Sequence, residues 1–134
     1  MNKMKYCLLL LSMFVFLQVS AQSDATGTES GTGIVTRIKT GLATYYHRKF
    51  EGRRTTSGVK YRGRKFTCAH MSLPLGTIVT VTNLSNGKSV DVEVNDRGPH
   101  SKRYIIDVSE SAAKELGFFN KGQSQVSISY GNPT

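Results

Sequence analysis

The chain has 134 residues, with 18 Lys and Arg against 9 Asp and Glu, 38% hydrophobic residues and no Trp. That length fits one compact domain and excludes a large cofactor enzyme or a polytopic membrane protein. The 2 Cys rule out a disulfide-rich miniprotein, and 13 Gly beside 3 Pro favour β-structure and turns over a helical bundle.

The first segment reads as an address. Lys3 and Lys5 precede an apolar run from Cys7 to Leu17, followed by Val19-Ser20-Ala21 with small residues where a signal peptidase cuts. The run is about 11 residues, and a membrane span needs roughly 20. Residues 1–21 are therefore expected to be a cleaved secretory signal, which places the mature protein in the periplasm or cell envelope. Cys7 opens the apolar run instead of following it, so a lipoprotein is not expected. Its removal would leave Cys68 without an internal disulfide partner. Between Phe66 and Ala69, Cys68 reads as a small buried hydrophobe.

Residues 22–40 begin with a Ser/Thr/Gly tract that cannot bury enough apolar surface to order itself, and they read as a flexible linker. The domain is expected over 41–131. Within it, Ile78 to Thr82 is a β-branched run, and Val90, Val92 and Val94 alternate with Asp91, Glu93 and Asn95. Asn86-Gly87 between them predicts a hairpin. Tyr104 to Val108 and Gln125 to Tyr130 predict two further strands. One helix is predicted, with Ser109 as N-cap, Glu110 in the first turn, Leu116 inside and Gly117 closing it. The class is mostly β, a small barrel with one or two short helices.

The charge is concentrated. Arg48, Lys49, Arg53, Arg54, Lys60, Arg62, Arg64 and Lys65 stand within eighteen residues against the single acid Glu51. This segment is either a solvated loop or a surface for a polyanion. An exported chain without a stacking-aromatic motif disfavours nucleic acid, leaving anionic envelope polymers. His47, His70 and His100 show no short-range ligand spacing, so neither a metal nor another cofactor is expected. A monomer is expected.

Three polar segments stand apart from barrel filler. They are Gly41 to Tyr46 with Thr55-Thr56-Ser57-Gly58, then Ala69-His70 with Leu73-Pro74-Leu75-Gly76-Thr77, then Asn95-Asp96-Arg97-Gly98-Pro99. In this order they resemble the rare lipoprotein A family, and the resemblance covers residues 41 to about 130. It implies a six-stranded double-psi β-barrel and a lytic transglycosylase that cleaves between N-acetylmuramic acid and N-acetylglucosamine in naked peptidoglycan strands. In such a reaction the muramic acid 6-hydroxyl attacks C1 and leaves a 1,6-anhydro end, so one carboxyl group can serve as acid and then as base.

The resemblance assigns Asp96 as a catalytic acid/base and His70 as an active-site member orienting Asp96 or a sugar hydroxyl. Taken alone, Asp96 in a turn-rich Asn-Asp-x-Gly run reads as a capping residue. Tyr46, Thr55, Ser57, Asn95 and Arg97 are the implied substrate contacts, with Tyr45 and Tyr46 either stacking on sugars or packing in a strand. Asp107, just ahead of the helix, reads as a structural hydrogen-bonding residue. One departure stands out. The family commonly reads Thr-Ala-Ser-Gly-Glu with that Glu proposed as the acid, and here the position is Val59, which cannot donate a proton. The alternative is therefore a non-catalytic peptidoglycan-binding or expansin-like wall-loosening module.

Overall fold

A computed structural model describes residues 35–131. The elements are β1 (Thr36–Tyr45), β2 (Thr67–Ala69), β3 (Ile78–Asn83), β4 (Ser89–Asp96), β5 (Tyr104–Val108), α1 (Glu110–Leu116) and β6 (Ser124–Gly131), with a short 3-10 turn at Arg48–Phe50. The six strands close into a barrel in the order β1-β5-β2-β4-β3-β6. β1 pairs with β5, and β2 with β4, in parallel, while the remaining neighbours are antiparallel.

The expected mostly-β barrel is what the chain forms. Val79, Val81, Val92, Val94, Ile106, Val108, Val126 and Ile128 fill the interior, all essentially inaccessible to solvent. Branched side chains suit such an interior because they pack well on a pleated surface. Cys68 lies among them, and burial pushes its thiol up to about 12, as befits an inert small hydrophobe.

The helix follows its sequence signals. Ser109 Oγ accepts from the Ala112 N–H, and Gly117 closes the last turn at φ 79°. Buried Asn83 ties this helix to the barrel: its Nδ2 donates to Leu116 O at 2.8 Å and its Oδ1 accepts from Ser124 Oγ at 2.8 Å. The β3–β4 hairpin is present with Gly87 at φ 75°, and the Asn86 side chain also reaches Leu116 O.

β1 begins at Thr36 and pairs with β6 from Thr36↔Gly131 onward. Residues 36–40, expected to end a linker, are strand instead; their side chains are exposed, so no apolar alternation marked them. The expected signal (1–21) and most of the expected linker lie outside the described residues.

Two irregularities in the parallel pairs position the site. Cys68 pairs with Val94 but Ala69 pairs with Asp96, so Asn95 is an extra residue, a β-bulge. Val94 faces the interior, and strict alternation would send Asp96 inward too. The bulge turns Asp96 to the outer face, beside Ala69. A matching shift lies between Leu42 and Ala43 on β1, opposite Tyr104 and Ile106.

Candidate active site

Ala69 is the centre of the site. It pairs with Asp96 on one neighbouring strand and with Asp107 on the other. Paired residues share a face, so both carboxyl groups stand on the same side of the sheet, with only a methyl group between them. Tyr46, Phe50, Ala69, Asp96, Arg97, Pro99, His100 and Asp107 line a cavity of about 130 Å³ over this point. Gly98 closes one edge at φ 147°, a conformation side-chain-bearing residues avoid, and a Cβ there would come within 3.6 Å of the Ala69 methyl.

Asp96 is held as an acceptor. Its Oδ2 takes the Tyr46 hydroxyl at 2.7 Å. Its Oδ1 takes the Thr56 N–H at 2.9 Å, the Thr56 hydroxyl at 2.8 Å and the Arg97 N–H at 2.9 Å. Burial opposes ionisation, but these donors outweigh it and keep the carboxyl below its ordinary range. The Tyr46 ring is buried, stacked on Tyr61 at 4.3 Å and edge-on to Phe50 at 5.9 Å. Burial and then the bond to Asp96 push the Tyr46 phenol far upward, so it stays a donor.

Asp107 is the opposite case. Its Oδ1 is buried with no hydrogen-bond partner among the described residues. Burial first, then the negative charge of Asp96, push its pKa up to about 6, with His100 partly countering. The expected structural hydrogen bonding is therefore not made at Oδ1 among the described residues. Two carboxyl groups on one face, one held ionised and one keeping its proton up to about pH 6, are an arrangement suited to acid/base chemistry.

The other expected residues divide. Thr55 is buried and bonds Val59 O at 2.6 Å and Ser57 Oγ at 2.8 Å, so it shapes its own loop. His70 is buried, and its Nδ1 accepts from Ser72 N–H at 3.2 Å and Leu73 N–H at 3.1 Å. That bonding fixes a neutral ring with its proton on Nε2, and burial, then Lys39 and Arg97, lower its pKa. It reaches Asp96 only through its main chain, His70 N–H to Asp96 O at 3.2 Å. Of the two expected uses of His70, orientation of Asp96 falls instead to Tyr46 and Thr56, and contact with a sugar hydroxyl is the one left to its side chain. Thr56 went unselected in the sequence because Thr55 and Ser57 carried the motif. Arg97 does not pair with Asp96 through its guanidinium; its Nη1 donates to His70 O at 3.1 Å and Leu73 O at 2.7 Å, bracing the 70–73 turn.

Ser57, Val59 and Asn95 lie elsewhere. With Lys65, Thr67, Gly76, Glu93 and Val94 they line a second cavity of about 290 Å³ that shares no residue with the first. The position where the family carries Glu is therefore not on the wall of the Asp96–Asp107 cavity.

Residues 38–128 match the family model described as lytic transglycolase. The chain belongs to the lytic transglycolase family. It is 47% identical over 109 residues to the endolytic peptidoglycan transglycosylase RlpA of Haemophilus influenzae, a match covering 81% of this chain and 38% of that protein. It is 51% identical over 90 residues to the RlpA of Neisseria meningitidis serogroup A, covering 67% of this chain and 38% of the relative. This lytic transglycolase barrel thus spans under two fifths of the length of those relatives. Among solved structures it resembles the apo expansin of Clavibacter michiganensis, with a TM-score of 0.58, 25% identity, and 73% of this chain and 52% of that one covered. It also resembles the Streptomyces papain inhibitor, with a TM-score of 0.58 and 23% identity over 70% of this chain and 94% of that one. The latter likeness concerns the fold alone, the expected double-psi barrel.

Proposed function

We propose that the protein is a peptidoglycan lytic transglycosylase in which Asp107 is the acid/base and Asp96 the ionised partner. The observation that carries the reading is the pair of unlike carboxyl groups flanking Ala69. The names of the RlpA relatives supply the substrate, glycan strands built from N-acetylmuramic acid and N-acetylglucosamine.

In this mechanism protonated Asp107 gives its proton to the glycosidic oxygen as the C1–O bond breaks. Positive charge develops at C1, and the Asp96 carboxylate offsets it. The muramic acid 6-hydroxyl then bonds to C1, and its proton passes to the Asp107 carboxylate, regenerating the acid. No water is consumed. A general acid of this kind works best with a pKa near the operating pH, which burial and Asp96 together provide. Val59 does not enter this scheme, so the missing family Glu is compatible with turnover.

Digestion of stem-peptide-free glycan, with mass analysis of the ends, tests the reading. Anhydro-muramic ends support it; reducing ends would make the protein a hydrolase, and intact strands would make it a binding or wall-loosening module. That second reading is favoured by Val59 and by the expansin likeness.

The reading includes export to the periplasm or envelope through residues 1–21, and contact of the basic segment with anionic polymers there. Lys49 and Arg53 stack over Phe50, while Arg62 meets Glu51 at 3.6 Å and Arg48 meets Glu110 at 3.5 Å. Arg54, Lys60, Arg64 and Lys65 have no acidic partner among the described residues and do not lie over Phe50. They carry the attraction.

A further inference from the structure

Thr56, which holds Asp96, sits at the turn of a short hairpin that carries part of the basic segment. Arg54 and Lys60 face each other across that hairpin as an isolated antiparallel pair. The bonds on either side are Thr55 N–H to Val59 O at 2.9 Å and Tyr61 N–H to Arg53 O at 2.7 Å. Arg54 and Lys60 are thus a non-hydrogen-bonded pair, the kind whose Cα atoms stand about 4.5 Å apart with both side chains on one face. Their chain neighbours Thr55 and Tyr61 are buried, so by alternation the Arg54–Lys60 face looks outward, and both residues are exposed.

Two cations placed directly opposite one another repel. The nearby acids are committed elsewhere. Glu51 takes the Gly63 N–H at 2.8 Å and meets Arg62 at 3.6 Å, while Glu110 meets Arg48 and Lys114. Arg54 and Lys60 have no acidic partner among the described residues. The turn also orients Arg54, whose Nη1 donates to Gly58 O at 2.8 Å. That bond uses one of five guanidinium donors and leaves the rest of the fork to a ligand. Neither residue lines the Asp96–Asp107 cavity or the second one, so a group bound here stands apart from the bond being cleaved.

We infer that Arg54 and Lys60 form a site for a phosphate group of a phosphate-bearing envelope polymer. A phosphate presents oxygens on several sides of one centre, so one edge can meet the Arg54 fork while another oxygen meets the Lys60 ammonium. A carboxylate has two oxygens in one plane, and the Arg54 fork alone satisfies both. The cation face brings no apolar side chain to enter a bilayer: Val59, beside Lys60, alternates to the other face and lines the second cavity. The site rests on the reading of the basic segment as a contact for anionic polymers, and it names the anion. A polymer held there anchors the domain and leaves the catalytic cavity open.

Calorimetry at low salt with linear polyphosphate, and with polyglutamate of the same total charge, tests the site. Polyphosphate should bind more tightly than polyglutamate, and its affinity should fall as salt is raised. Lys60→Gln should weaken it by roughly fivefold, the scale of one exposed charge contact. Lys121→Gln, an equal loss of charge at another exposed position, should leave it nearly unchanged. Lys60→Glu sets an acid opposite Arg54, so it should abolish the preference and, without ligand, raise the thermal midpoint. Equal weakening by Lys60→Gln and Lys121→Gln would overturn the site and leave only a general attraction for polyanions. Equal affinity for the two polymers overturns it too, as does a preference for phosphatidylglycerol vesicles or a Lys60→Glu variant less stable than the wild type. Absence of binding to either polymer removes the reading of the basic segment and the site with it. Polyphosphate preferred by a protein that forms no anhydro ends would refute the transglycosylase reading and retain the site.

Discussion

Asp96 and Asp107 lie on opposite neighbours of the same strand, both in register with Ala69. Strand spacing puts their main chains about 10 Å apart. The small Ala69 side chain leaves the space between them open. Each carboxyl group then shapes the other: Asp96 is fixed as an anion by four donated hydrogen bonds, and its charge raises Asp107.

The pH dependence of activity follows. The active form has Asp96 ionised and Asp107 protonated. Rate should therefore fall on the acid side as Asp96 protonates, below the ordinary Asp value of 3.8, and on the alkaline side as Asp107 loses its proton at about 6. A pH–rate profile for kcat/KM on soluble glycan checks this. Asp96→Asn removes the charge that raises Asp107, so any residual activity should show its alkaline limb at lower pH.

Stability carries the reverse mark of the same group. The folded state keeps the Asp107 proton up to about pH 6, whereas an unfolded Asp releases it near 3.8. The stabilisation is complete below about pH 4 and is lost as pH rises to about 6. Asp107→Asn, neutral throughout, should exceed the wild type by about 2–3 kcal/mol above pH 6 and match it at pH 4. Urea melts at the two pH values decide the point.

Tyr46→Phe keeps the ring stacked on Tyr61 and removes one donor from Asp96. The Asp96 pKa should rise and the acid limb of the profile should move up with it. Activity at the optimum should fall by roughly tenfold, on the scale of one charge-assisted hydrogen bond. Carbon-13 titration of the Asp96 carboxyl reads the shift directly.

Asn83 makes the clearest prediction away from the site. Asn83→Ala leaves Leu116 O with one donor fewer and Ser124 Oγ with only its longer bond to Gln125 O, 3.4 Å against 2.8 Å. Stability should drop by about 2–3 kcal/mol, measured by thermal or urea unfolding, with the pH profile of activity unchanged.

Much of the barrel was legible because apolar alternation is strong in β3, β4, β5 and β6, and because Ser109 and Gly117 bracket the helix. β2 has three residues, too short for any period to appear. The site was less legible. Asp96 was marked by motif resemblance, but its outward direction depends on the Asn95 bulge, which breaks the alternation of Val90, Val92 and Val94. Asp107 alternates outward between Ile106 and Val108, yet its neighbours across the ladder, Ala69 and beyond it Asp96, are distant in the chain. His70 carried a sequence signal whose use is local, a turn held through Nδ1. Side-chain chemistry named the candidates, and strand register sorted them.

The position of Val59 separates this account from one that requires the family Glu. Val59→Glu places a carboxyl group in the second cavity, so it should not restore activity to Asp107→Asn. Anhydro-product assays on the single and double variants check this.

The central claim is that Asp107 performs the chemistry, and the most direct measurement compares wild type with Asp107→Asn on naked glycan strands at pH 5. The account predicts anhydro-muramic ends from the wild type and a loss of roughly 10²–10⁴-fold in Asp107→Asn, with the circular dichroism spectrum unchanged. Anhydro ends formed at an undiminished rate by Asp107→Asn would contradict it.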